Sequence, residues 1–318
     1  MKNLIFVLFV VFLVGCGNNI QNDSVILDNG GEANNQIEAP IQVVATFSII
    51  ADMVEQVGGD LVEVYSIVPV GEIPEYHEVL PSDMIIVTNA DLIFFNGLNL
   101  ETGGNWFVNL MSATDRVFGV HYFLATEGIT PFYLTTEGLE SYTDPHAWLD
   151  LRNGIIYIQN ITRVLSEFSP ENAHIFEYNA DQYIEMLYAL HNEWLGSFDD
   201  IPDSQRLLVT SEGAFRYFAE TYNLNVAYIW ELNSEDEGTP EQMINIINIV
   251  NNSDVLSLFY VSSIEVHYMQ QVSAETGVLV YGMLFAESLS EVNEGAHTYY
   301  YMMRHNFETI NSGLRGLW

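Results

Sequence analysis

From Ile41 onward the chain alternates short apolar, β-branched runs with longer stretches in which apolar residues recur every three or four positions. The runs Val43–Phe47, Val62–Ile67, Asp91–Phe95, Leu207–Thr210, Leu224–Ile229, Val255–Tyr260 and Val278–Tyr281 read as strands buried on both faces. The stretches Ile49–Val57, Ser82–Asn89, Trp106–Ala113, Asn153–Glu167, Phe215–Tyr222, Thr239–Val250, Ile264–Thr276 and Thr298–Ile310 read as helices. Thr239-Pro240-Glu241-Gln242 is a helix start: a threonine cap, a proline at the first position and a glutamine that completes a capping box. Strands alternating with helices predict parallel sheets in an α/β fold.

One segment departs from that rhythm. Glu171–Leu195 contains neither glycine nor proline, and Phe176, Ala180, Tyr183, Met186, Leu187, Leu190 and Trp194 repeat at mostly three- and four-residue steps. At about 1.5 Å per residue this is one helix of roughly 40 Å. It separates the βα units into two sets, so the expected architecture is two lobes with parallel sheets and flanking helices, joined by a spine helix. The lobes would span 41–169 and 199–318, with the linking helix over 170–198.

The residues before Ile41 have another character. Lys2 is followed by an unbroken apolar run from Leu4 to Val14 and then by Gly15-Cys16. The run is shorter than the ~20 residues that span a bilayer, so residues 1–16 read as a secretory signal ending in a lipobox. Cys16, the only cysteine, is then the expected site of acylation. A single cysteine allows no disulfide within one copy. Residues 17–40, polar and acidic with no period that could bury a face, are expected to be a flexible tether. The protein is thus expected outside the cytoplasm, lipid-anchored to a bacterial membrane.

Charge narrows the partners. Beyond Lys2, 43 acidic residues face only seven arginines. Nucleic acids and anionic surfaces need clustered cations, which this chain lacks, and without a lysine there is no phosphate-binding P-loop. Such an acidic surface keeps a protein soluble and also suits high salt, where self-repulsion is screened.

In an α/β architecture, ligands collect at the carboxyl ends of the strands. There, Asp144-Pro145-His146 places a histidine on a proline-stiffened loop, two residues from an aspartate. Around it, Pro69-Val70-Gly71 through Pro81-Ser82-Asp83, Ala90–Glu101, Asp144–Leu149 with Asn153-Gly154-Ile155, Val209–Gly213 with Ile229-Trp230-Glu231, and Glu237–Pro240 resemble the substrate-binding lipoproteins of bacterial manganese and zinc ABC transporters. The resemblance is closest to the manganese branch and covers essentially everything after Ile41.

The resemblance implies a metal held between the lobes on four side chains. By position, three fall on His146, Glu212 and Glu287, the last where the family usually has an aspartate. The first departs from the pattern. In Glu72-Ile73-Pro74-Glu75-Tyr76-His77-Glu78-Val79, Glu75 falls on the family's histidine position and His77 two residues later. Either Glu75 binds, giving three carboxylates and one imidazole, or the loop turns so that His77 reaches the ion; Glu75 is favoured. Oxygen ligands suit manganese, with zinc possible. His121, His174, His191, His267, His297 and His305 are expected to be structural or exposed.

The resemblance further implies a monomer that captures a divalent metal and delivers it to a permease driven by a separate cytoplasmic ATPase. The alternatives are a metallohydrolase using His146 with Glu75 or Glu78 as base, and an adhesin or scaffold with a degenerate site. Neither a nucleophile elbow nor an H-E-x-x-H helix is present, and no enzyme is expected.

Overall fold

The computed structural model describes residues 39–232 and 238–317. Cys16, the signal segment and nearly all of the expected tether lie outside them, as does Glu237. No helix among the described residues is long and apolar enough to cross a membrane.

The chain opens with β1 (Ile41–Ala45), α1 (Ser48–Gly58), β2 (Val62–Ser66), α2 (Pro81–Asn89), β3 (Leu92–Phe95), α3 (Trp106–Ala113) and β4 (Tyr122–Leu124). These strands form one parallel sheet in the order β2-β1-β3-β4, with Val43 opposite both Val64 and Leu92. Strand β4 is absent from the sequence expectation. It has three residues, all half-buried, at the sheet edge, so no run of buried apolar residues marks it.

Helices α4 (Leu151–Phe168) and α5 (Ala173–Trp194) follow. Asp150 caps α4, its carboxylate accepting from the Arg152 backbone at 2.8 Å and clasping the Arg152 guanidinium. The predicted spine helix is α5. Phe176, Ala180, Tyr183, Leu187, Leu190 and Trp194 form its buried stripe, whereas Met186, expected on that stripe, lies one position off it and is exposed; Trp194 stacks on Phe307 at 4.2 Å.

The second half contains β5 (Leu207–Glu212), α6 (Arg216–Tyr222), β6 (Asn225–Trp230), α7 (Pro240–Asn251), β7 (Ser257–Val261), α8 (His267–Thr276), β8 (Leu279–Leu284) and α9 (Tyr299–Leu314). Strands β5 and β6 pair in parallel, as do β7 and β8. Between the pairs, the Val261 amide donates to Ser211 Oγ at 3.1 Å. Thr239 and Gln242 make the expected capping box at α7. Helix α8 begins at His267 instead of Ile264, because residues 262–266 form the turn that leaves β7.

Contacts between the two halves lie close to the strand ends. The Trp148 indole donates to the Ala286 carbonyl at 2.9 Å, and the Gly71 amide to Ser288 Oγ at 2.7 Å. Tyr299, at the start of α9, donates its amide to Asp52 on α1 and its hydroxyl to the Trp148 carbonyl. Gly154 admits that tyrosine: a Cβ there would lie 2.2 Å from the Tyr299 hydroxyl.

Candidate metal centre

Segments that follow β2, β4, β5 and β8 converge. Glu75 sits on a 3-10 turn (Pro74–Tyr76) in the loop after β2, where proline presets the backbone and Trp106 Nε1 donates to the Pro74 carbonyl at 3.0 Å. His146 precedes a second 3-10 turn (Ala147–Leu149). Glu212 ends β5, and Glu287 lies three residues beyond β8. Gly213 follows Glu212 where the chain passes tightly against Glu231, whose carbonyl oxygen would be 2.7 Å from a Cβ.

One donor atom from each of Glu75, His146 and Glu212 lies within 4.8 Å of the others. His146 Nε2 is 3.8 Å from Glu212 Oε1 and 3.6 Å from Glu287 Oε1. Donors about 2.1 Å from a shared ion can be no more than about 4.2 Å apart, and both His146 distances meet that limit. All four side chains are buried, Glu75 at 4% exposure and Glu287 at 0%. Both Glu75 oxygens, His146 Nε2 and Glu287 Oε1 have no hydrogen-bond partner. Buried carboxylate oxygens without donors are costly, and a cation is the partner that this donor set would satisfy.

The imidazole is oriented from behind. Asp144 Oδ1 is 2.8 Å from His146 Nδ1 and also accepts the His146 backbone amide at 3.0 Å. A carboxylate can only accept, so the proton sits on Nδ1 and Nε2 faces the acids. The loop is itself fixed: Tyr217 donates to the Asp144 carbonyl, and Asn96 Nδ2 to that of Pro145. Arg216, 3.7 Å from Asp144 Oδ2, also pairs with Glu231, which accepts the amides of Thr135 and Thr136.

Without an ion, protons must offset this charge. Burial, reinforced by the negative Glu287, pushes Glu75 up to about 8. Burial works against a charged His146, but Asp144 and Glu287 outweigh it and raise the imidazole to about 10. Burial would raise Glu287 as well, yet the positive His146 3.6 Å away and the Ser263 hydroxyl bring it down to about 2. Deeper still, Glu101 accepts from Thr46 and the amides of Asn96 and Gly97, and burial still lifts it to about 7.

Of the five candidates named from sequence, the structure brings Glu75, His146, Glu212 and Glu287 together and places His77 elsewhere. His77 Nε2 is 3.1 Å from Asp83 Oδ2, and its ring packs edge-on against Trp106. Asp83 also accepts the Leu80 amide at 2.8 Å as α2 begins, so His77 belongs to a helix cap. A cavity of about 560 Å³ lined by Glu72, His77, Glu78 and Ser263 adjoins this loop. Of the remaining histidines, His191 is buried against the Tyr222 hydroxyl, His121 accepts the Val117 amide, His267 pairs with exposed Glu265, and His305 contacts the Met283 carbonyl. Sequence reasoning did not find Ser263, whose hydroxyl donates to Glu287 Oε2 at 2.5 Å. No spacing marks a lone serine of this kind.

A family model described as zinc-uptake complex component A periplasmic (ZnuA) matches residues 43–313. The metal ABC transporter substrate-binding lipoprotein of Lactococcus lactis is 40% identical over 306 residues, 96% of this chain and 94% of that protein. The manganese ABC transporter substrate-binding lipoprotein of Streptococcus gordonii is 43% identical, over 86% of this chain and 89% of its own. The solved Mn-bound periplasmic metal-binding protein of Candidatus Liberibacter asiaticus superposes with a TM-score of 0.76 at 31% identity, covering 87% of this chain and all of that one. With a match that runs from β1 into α9, the chain belongs to the ZnuA family of periplasmic metal-uptake components.

Proposed function

We propose that this protein captures a divalent transition metal outside the cytoplasm on Glu75, His146, Glu212 and Glu287, and delivers it to an ABC permease driven by a separate ATPase. The observation that carries this reading is the buried cluster itself: three carboxylates around one imidazole, with Nε2 and several carboxylate oxygens lacking any protein donor. The relatives are named metal or manganese ABC transporter substrate-binding lipoproteins. They belong to a binding family, so this chain is a carrier and not an enzyme.

Manganese is the favoured cargo, because three carboxylates offer hard oxygen ligands while only one site nitrogen remains. Zinc is the competing ion, in keeping with the family description. Cys16 would carry the lipid anchor, as the named lipoprotein relatives suggest. The two lobes would divide at 41–169 and 199–318, with 170–198 between them, each lobe contributing two ligands.

The test is a metal titration of protein freed of metal with a chelator. Binding to the folded state alone adds about 4 kcal/mol at a free ion concentration a thousandfold above Kd. That gain should appear as a rise in melting temperature with manganese and be lost in His146→Ala. A variant that responds to metal as the parent does would remove His146 from the ligand set.

A further inference from the structure

We propose that Ser263 determines how many oxygens Glu287 gives to the ion, and thereby sets the preference of the site between manganese and zinc; this rests on the ligand reading above. The two oxygens of Glu287 are not equivalent. Oε1 faces His146 Nε2 at 3.6 Å and has no hydrogen-bond partner, whereas Oε2 takes the Ser263 hydroxyl at 2.5 Å. Glu75 differs, since both its oxygens are unpartnered.

Ser263 lies in the turn after β7, so a strand end that supplies no ligand reaches the site through it. An oxygen already accepting a charge-assisted hydrogen bond is a poorer metal donor and is held in one direction. Glu287 is therefore confined to one bond, through Oε1. Zinc is satisfied by four ligands, and the hard, oxygen-preferring manganese takes up further oxygens up to octahedral coordination. Restricting Glu287 to one oxygen thus favours the smaller coordination number. Without the hydroxyl, Oε2 can turn to the ion and add a donor, which benefits manganese more than zinc.

The experiment measures Mn2+ and Zn2+ affinities by competition for wild type, Ser263→Ala, Ser263→Thr and Glu287→Ala. In Ser263→Ala the Mn2+ to Zn2+ affinity ratio should rise about tenfold, the lower end of what one hydrogen bond to a charged group is worth. Ser263→Thr, which keeps the hydroxyl, should retain the wild-type ratio. The manganese-edge X-ray absorption pre-edge should weaken in Ser263→Ala as coordination increases, a change that a purely structural serine would not cause. The melting temperature of each metal-free variant reports its folding independently. An unchanged ratio in Ser263→Ala, or an equal shift in Ser263→Thr, overturns the proposal. If Glu287→Ala binds both ions as wild type does, it is the ligand assignment that fails.

Discussion

Asp144 Oδ1 lies 2.8 Å from His146 Nδ1, and this contact decides which imidazole nitrogen is presented to the three glutamates. Replacing Asp144 with asparagine should therefore weaken metal binding without removing a ligand. Loss of such an orienting partner typically costs about 10–100-fold in affinity. Isothermal titration with Mn2+ on chelator-treated protein measures it. An affinity within twofold of wild type would mean that Pro145 and the surrounding packing orient the ring unaided.

The first ligand can be tested by exchange. Glu75→His should move preference toward zinc by replacing a hard oxygen with an imidazole. His77→Phe should leave metal affinity nearly unchanged while lowering stability by about 1 kcal/mol through the lost bond to Asp83. Competition binding and chemical denaturation read the two effects separately. Loss of binding in His77→Phe, with binding retained in Glu75→Gln, would assign the ligand to His77.

The pH response of the metal-free protein follows from its buried acids. Glu75 and Glu101 are raised to about 8 and about 7, and Asp52 is raised too, in each case by burial foremost. Between their unfolded value near 4.3 and those values the native state holds more protons than the unfolded chain, so stability falls as pH rises. His146 acts in the same direction: its stabilising contribution is complete below about 6.5 and is lost as pH rises through about 10. Glu287 acts oppositely, but only where pH falls from about 4.5 toward 2. The melting temperature should thus decrease from pH 5 to pH 8, by at least about 3 °C. Manganese affinity should change the other way, because the ion displaces the protons on Glu75 and His146. Calorimetric scans across pH and proton release into a weakly buffered indicator solution check the pair.

Salt should stabilise the protein. With 43 acids against seven arginines, exposed carboxylates repel one another across the surface, and molar sodium chloride shortens the screening length to about 3 Å. A flat or falling melting temperature in metal-free protein between low and molar salt would show that this repulsion is already offset locally.

Cys16→Ser should abolish acyl labelling and release the protein from the membrane fraction, since the thiol is the proposed attachment point. Retained labelling in that variant would place the anchor elsewhere.

Much of this architecture was legible in the sequence because periodicity reports burial directly. The buried stripe of α5 and the uninterrupted apolar run of β3 each carry that signature. Strand β4 does not, being short, half-buried and paired along one edge. The candidate site was legible where a rigid local motif marked it, as in Asp144-Pro145-His146, while Glu75, Glu212 and Glu287 were named only through the family resemblance. What could not be read was pairing over long sequence distances. Glu101 accepts the Thr46 hydroxyl from 55 positions away, and Ser263 reaches Glu287 across 24. No local pattern encodes such contacts, because they depend on how the strand ends meet in space.

The hydrogen bond from Trp148 to the Ala286 carbonyl has an optical consequence. This indole is fully buried and sits two residues after His146, while its acceptor immediately precedes Glu287. Any parting of those two segments breaks the bond and wets the ring, shifting its emission to the red. The molecule thus carries its own fluorescent gauge of the gap between the halves of its site, readable in real time and without a label.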